Sequence, residues 1–159
     1  MVGRASHAES SCTLARPLGE VGDGWSLLIV RDAFDGLRRF GEFQKSLGLA
    51  KNILASRLAT LVDGGILEVI PLGARHEYQL TDKGRGLFPV LVALRQWSDE
   101  FCFTPGEPRA TLVDRTMSRP VRRFELRAAD GRALAPEDTA VIESAPKDAP
   151  SSLMGTKQI

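Results

Sequence analysis

Cysteine is scarce in this chain of 159 residues: Cys12 and Cys102 are too few and too far apart for a disulfide scaffold or a closed zinc site, which takes about four ligands. That scarcity fits a reducing, cytoplasmic setting. Long apolar runs are missing as well. The longest, "LFPVLVAL" at residues 87–94, falls far short of the roughly 20 residues of a spanning helix, and the opening "MVGRASHAESS" has no apolar centre for a signal peptide. No membrane partner is expected. Histidine occurs twice, once in that polar opening, which leaves little for general-base chemistry. Walker loop, dinucleotide fingerprint, GxSxG and paired metal-binding histidines are all lacking, so no catalytic residue, cofactor or metal ligand is assigned and an enzyme is not expected. Nor does one charge dominate. With 21 Lys and Arg against 20 Asp and Glu, a net +1 gives no global attraction for a polyanion, and any nucleic-acid surface must arise from local clustering.

What is present is a succession of short helical patterns. Residues 1–11 are small and polar and read as a flexible arm. "TLARPLGEVG" sets Leu14, Leu18 and Val21 on one stripe, with Thr13 available as N-cap and Gly22 as the stop. "GWSLLIVRDAFDG" places Trp25, Leu28, Ile29 and Ala33 on one face, and "RRFGEFQKSLG" does the same with Phe40, Phe43 and Leu47. After a short gap, "KNILASRLATLVD" carries Leu54, Leu58, Leu61 and Val62 on a defined apolar face and halts at Gly64 and Gly65. The period then switches to two β-prone runs, residues 66–70 and 76–80, separated by the turn "PLGAR". Thr81 caps a last long helix through about Phe103, with Leu87, Val90, Leu91, Leu94, Trp97 and Phe101 on one face and Pro89 expected to kink it. Residues 104–144 read as a linker and a small β-rich extension of two or three strands around Asp130-Gly131, and residues 145–159 as a disordered tail.

Helices ending in a tight turn before the last, followed by a hairpin, make a winged helix-turn-helix. The expected fold is therefore mainly α with a small β-hairpin, a winged helix-turn-helix over residues 12–103, plus the short β-rich C-terminal extension. Over residues 36–57 the basic residues are Arg38, Arg39, Lys45, Lys51 and Arg57 against one acid, Glu42, a local +4 in a nearly neutral chain. Lys51 suits guanine or phosphate, Asn52 adenine, Ser56 a small donor or acceptor, and Arg57 a forked donor, although its flank position also suits an internal salt bridge. Arg75 and His76 at the hairpin tip reach the adjacent minor groove or backbone, and Arg38 and Arg39 the other phosphate flank. Without this context the same residues would be an ordinary solvated face. Trp25 and Trp97 read as core or interface anchors, with a small-molecule pocket as the alternative, and Cys102 reads as packed among Phe101 and Phe103.

The segments "CTLARPLGEVGDGWSLLIVRDAFDGLRRFGEFQKSLG", "LASRLATLVDGGILE" and "RHEYQLTDKGRGLFPVL" closely resemble the HxlR-type winged helix-turn-helix transcriptional regulators, from about Cys12 to Phe103. The resemblance implies a homodimer built from the N-terminal segment and the long last helix, for which Leu14, Leu91, Leu94, Trp97 and Phe101 are the interface candidates, bound to double-stranded operator DNA with two symmetric half-sites. It also implies a response to an electrophile or oxidant, with Cys12 as the candidate redox sensor. Two departures stand out: Ala50-Lys51 replaces the family's usual Ser-Pro at the start of the recognition helix, and residues 104–159 lack the paired cysteines of the zinc-ribbon-like extension found in some longer relatives. The function expected is a sequence-specific DNA-binding regulator, a homodimeric repressor responding to a small-molecule or redox signal. The alternative is a protein-interaction module on a winged-helix scaffold that has lost DNA binding.

Overall fold

The computed structural model describes residues 12–142 and the backbone of Thr156–Lys157. The arm expected at residues 1–11 lies outside the described residues, as does the tail expected at 145–159 except for Thr156–Lys157. The chain divides into two compact units, Met1–Ser98 and Asp99–Ile159.

In the first unit, helices α1 (Ala15–Val21), α2 (Ser26–Phe34), α3 (Phe40–Leu47) and α4 (Lys51–Asp63) lead into the antiparallel hairpin β1 (Leu67–Leu72) and β2 (Arg75–Leu80). Helices α5 (Asp82–Arg85) and α6 (Phe88–Phe101) follow. The core is assembled from Ile29, Val30 and Ala33 of α2, Phe43 of α3, Leu54, Leu58 and Leu61 of α4, and Ile66, Leu67 and Leu80 at the base of the hairpin. Each large side chain withdrawn from water here contributes roughly 1.5–3 kcal/mol, so the leucine stripe of α4 is what fastens that helix to the domain. The buried face of α2 runs through Val30 rather than the expected Leu28 and Trp25, which stay half-exposed and exposed.

Local chemistry sets the helix ends. Thr13 does not cap α1: Leu14 stands at its N-cap with no side-chain hydrogen bond, and of the expected stripe only Val21 is buried. At α2 the cap is Asp23, whose Oδ1 accepts from the amides of Trp25 and Ser26, both at 3.0 Å, while its Oδ2 accepts from the Ser26 hydroxyl at 2.5 Å. Glu42 reaches back to accept from the Arg38 and Arg39 amides at 2.8 and 2.9 Å, satisfying donors ahead of α3. Gly48 ends α3 in the left-handed conformation (φ 65°), which turns the chain within three residues and buries Leu49 under the start of α4.

Thr81 caps as expected, its Oγ1 accepting from the Gly84 amide at 3.1 Å and donating to the Gly65 carbonyl at 2.6 Å. The single long helix expected beyond it is two helices, broken at Gly86 and Leu87. Pro89 has no N–H to offer the Arg85 carbonyl, so the interruption falls a turn upstream, and Pro89 itself sits in the first turn of α6 where no hydrogen bond is needed.

The second unit is held by short pairings. Single bridges join Val113 to Pro120 and Arg127 to Ala133, the latter around Asp130-Gly131, and β3 (Val141–Ile142) pairs with β4 (Thr156–Lys157). Arg127 Nη1 donates to the Gly131 carbonyl at 2.5 Å, and Arg109 stacks over Phe103 at 5.9 Å while pairing with Asp99.

Candidate nucleic-acid interface

Helix α4 presents opposite faces to opposite media. With Leu54, Leu58 and Leu61 inward, the helical period turns Lys51, Asn52 and Ser56 outward, and all three are exposed. Ile53 joins them at 41% exposure, an apolar side chain among polar ones that the sequence reading did not single out. Ala50 at the N-cap is extended and makes no side-chain hydrogen bond, so the helix opens with amides that no side chain caps, beside the Lys51 ammonium. Such a terminus favours an anion. The helix is about 20 Å long at 1.5 Å per residue and slender enough for a major groove.

The wing is stitched to the start of α3. The Tyr78 amide donates to the Arg38 carbonyl at 2.7 Å, Arg39 Nε donates to Glu77 Oε1 at 3.2 Å, and the Tyr78 ring lies edge-on to Phe43 at 6.3 Å and to His76 at 5.6 Å. These contacts bring Arg38 and Arg39 together with the tip residues Arg75 and His76, both of which are exposed. Lys45 stands exposed in the last turn of α3. Backbone hydrogen bonds from Arg38 and Arg39 hold the Glu42 carboxyl below its ordinary pKa, so the acid among these cations stays ionised and occupied with amides.

The nine residues expected at a DNA surface thus divide. Among the described residues, Arg38, Lys45, Lys51 and Arg75 have no ion-pair partner, whereas Arg39 has Glu77 and Arg57 has Asp23. Arg57 is set apart by geometry. Its side chain is 24% exposed, its Nε is buried without a hydrogen bond, and it lies 3.5 Å from Asp23 Oδ1. Burial raises the Asp23 carboxyl, and the hydrogen bonds from Ser26 and Trp25, with the Arg57 charge, outweigh it and hold the pKa below the usual value. Asp23 was legible as a cap, three residues before Ser26 in "DGWS", but its partner lies on another helix.

Of the interface candidates, Leu14, Leu94, Trp97 and Phe101 are exposed, while Leu91 is half-buried and packs on the domain's own core. Cys12 is exposed and in no disulfide. Cys102 is exposed too, contrary to its expected packing, as is its neighbour Phe101 at the end of α6. Among the described residues no group of three or more His, Cys, Asp and Glu side chains is placed to hold a metal, and no helix is long and apolar enough to cross a membrane.

The HxlR-like helix-turn-helix family model matches residues 20–105. The HTH-type transcriptional regulator Rv3095 of Mycobacterium tuberculosis is 42% identical over 118 residues, 72% of this chain and 75% of that protein. In structure, the chain is similar to PA1607, described as a candidate transcription factor, with a TM-score of 0.83 and 56% identity over 90% of this chain and 99% of that one. It is also similar to the reduced form of the regulator YodB of Bacillus subtilis, with a TM-score of 0.51 and 31% identity over 60% and 98% of the two chains. YodB is known in a quinone-bound form as well, at a TM-score of 0.51 and 30% identity over 57% and 99%. Sequence, fold and relatives agree, and the chain belongs to the HxlR-like helix-turn-helix family of transcriptional regulators.

Proposed function

We propose that the chain binds operator DNA sequence-specifically, as a homodimeric repressor whose affinity is set by a small-molecule or redox signal. The observation that carries the DNA reading is α4 itself: a helix pinned by three buried leucines, opening on amides without a side-chain cap and holding Lys51, Asn52 and Ser56 outward. In this reading α4 enters the major groove, Asn52 pairs with adenine, Ser56 and Ile53 touch base edges, and Lys51 with the helix terminus takes a phosphate. Arg38, Arg39 and Lys45 fix one backbone flank, and Arg75 with His76 the other. The exposed apolar side chains of Leu14, Leu94, Trp97 and Phe101 support a second copy of the chain as partner, and a twofold protein calls for a palindromic site. Support for the signal comes from exposed Cys12 and from the likeness to YodB, a regulator with a quinone-bound form.

The test is electrophoretic mobility shift against the chain's own upstream region at several salt concentrations. Arg38, Lys45, Lys51 and Arg75, the four cations without ion-pair partners among the described residues, at about 0.9 counterions released per phosphate, give an expected slope of log affinity on log salt of roughly −3.6 per protomer and about −7 for a dimer, with Arg39 adding none because Glu77 already neutralises it. Absence of any shift at low salt refutes DNA binding and leaves the protein-interaction reading.

A further inference from the structure

Two acids at the end of α1 and in the turn after it hold α4. Asp23 is fixed to the first turn of α2 by the Ser26 hydroxyl and two amides, and it faces Arg57 in the middle of α4. Glu20 of α1 accepts from Lys83 Nζ at 2.7 Å, and the same ammonium donates at 2.8 Å to the carbonyl of Gly64, at the C-terminal end of α4. Arg57 is badly placed to leave. Its Nε is buried and makes no hydrogen bond, and its flank position directs it toward the domain, so parting from Asp23 would strand a half-buried charge.

We propose that residues 20–23 set the attitude of the reading helix, and that Arg57 and Lys83 are positioning residues acting through Asp23 and Glu20 rather than contacts to DNA. This rests on the DNA-binding reading above and assigns its geometry. The two anchors grip α4 at its middle and at its end, which leaves its first turn to the groove. A helix turned by about 20° moves side-chain tips about 6 Å from its axis by about 2 Å, enough to break the paired hydrogen bonds of an asparagine on adenine. Because Glu20 belongs to α1, which packs against both α2 and α4, a displacement of α1 is transmitted to the base-reading surface.

The test uses the full chain and a duplex selected by it from a random-sequence library, with affinity measured by fluorescence anisotropy across a salt series. Asp23→Asn keeps a capping side chain and removes the charge that faces Arg57, while Arg57→Ala removes the charge that would otherwise be stranded, so agreement between the two variants separates loss of the clasp from loss of the fold. Asp23→Asn and Arg57→Ala should each weaken the selected duplex roughly tenfold, or about 1.4 kcal/mol. The salt slope and binding to random duplex should stay as in the wild type. The double variant should be no weaker than either single one, and Arg57→Lys should recover most of the loss. A slope reduced by about 0.9 per protomer in Arg57→Ala makes Arg57 a phosphate contact and overturns the proposal, as do additive losses. Amide exchange without DNA supplies a second readout. Asp23→Asn should speed exchange several-fold in mid-α4, and Glu20→Gln at its C-terminal end; unchanged exchange in both variants overturns the proposal. If wild type binds no duplex with salt dependence, the DNA reading fails, and exchange alone decides whether residues 20–23 hold α4.

Discussion

Replacing Gly84 with alanine tests how closely α5 is seated on the base of the hairpin. Gly84 is buried in α5, and a Cβ there would lie 2.2 Å from the Ile66 carbonyl oxygen and 3.0 Å from Leu80 Cδ2. Ordinary contact begins at 3.4 Å, so backbone must retreat by more than 1 Å. It has little room. The same carbonyl accepts from the Thr81 amide at 3.1 Å and from its hydroxyl at 3.2 Å. Overpacking of this kind costs about 1–3 kcal/mol, against a gain of about 0.5–1 kcal/mol from alanine's smaller chain entropy, for a net loss of about 1–2 kcal/mol. For a domain of about 100 residues this lowers Tm by roughly 5–15 °C. Gly41→Ala is the matched control: exposed, in α3, with nothing within 4 Å of the new Cβ, it should gain about 0.5–1 kcal/mol. Thermal unfolding of the full chain, followed by far-ultraviolet circular dichroism, reads both. A Gly84→Ala protein that melts with the wild type would refute the close approach.

Four further outcomes are expected. Thr81→Val keeps the shape and removes the cap of α5, and should cost about 1–2 kcal/mol in urea unfolding; a loss below a few tenths would show the cap idle. Because the folded-state pKa of Asp23 is depressed, its stabilisation is complete above the unfolded value near 4 and drains as pH falls, so the wild-type advantage over Asp23→Asn should hold from about pH 8 to 5 and shrink below about 4. A pH-independent difference between the two proteins contradicts this. Arg38→Ala should weaken binding to every duplex alike, whereas Asn52→Ala should change the sequence recovered by selection; indistinguishable effects would dissolve the division between phosphate and base contacts. Cys12→Ser should abolish any change of DNA affinity after a quinone pulse, and an equal response in variant and wild type clears Cys12 of a sensing role.

What could be read from the chain was whatever periodicity encodes. The limits of α4 coincide with the expected ones because Leu54, Leu58 and Leu61 fix both the face and the phase, and the hairpin followed from a change of period around a Pro and Gly turn. The interruption of the last helix was misplaced because a proline's missing donor is felt four residues earlier, at Arg85. The pairing of Arg57 with Asp23 was out of reach in sequence, since it joins groups on separate elements and depends on how α4 rotates onto α2. The local +4 therefore overstated the available charge: two of its cations face carboxylates that composition could not assign to them.

The first turn of α4 contributes nothing to the core: Lys51, Asn52 and Ile53 are exposed, Ala50 caps nothing, and the burial begins at Leu54. Substitutions there are close to neutral for folding, so they accumulate without the destabilisation that purges most mutations. With α4 reading DNA as proposed above, a duplicated copy of such a regulator can therefore acquire a new operator through a few changes in four consecutive residues, with its scaffold intact. Evolvability is built into the place where the helix is least secured.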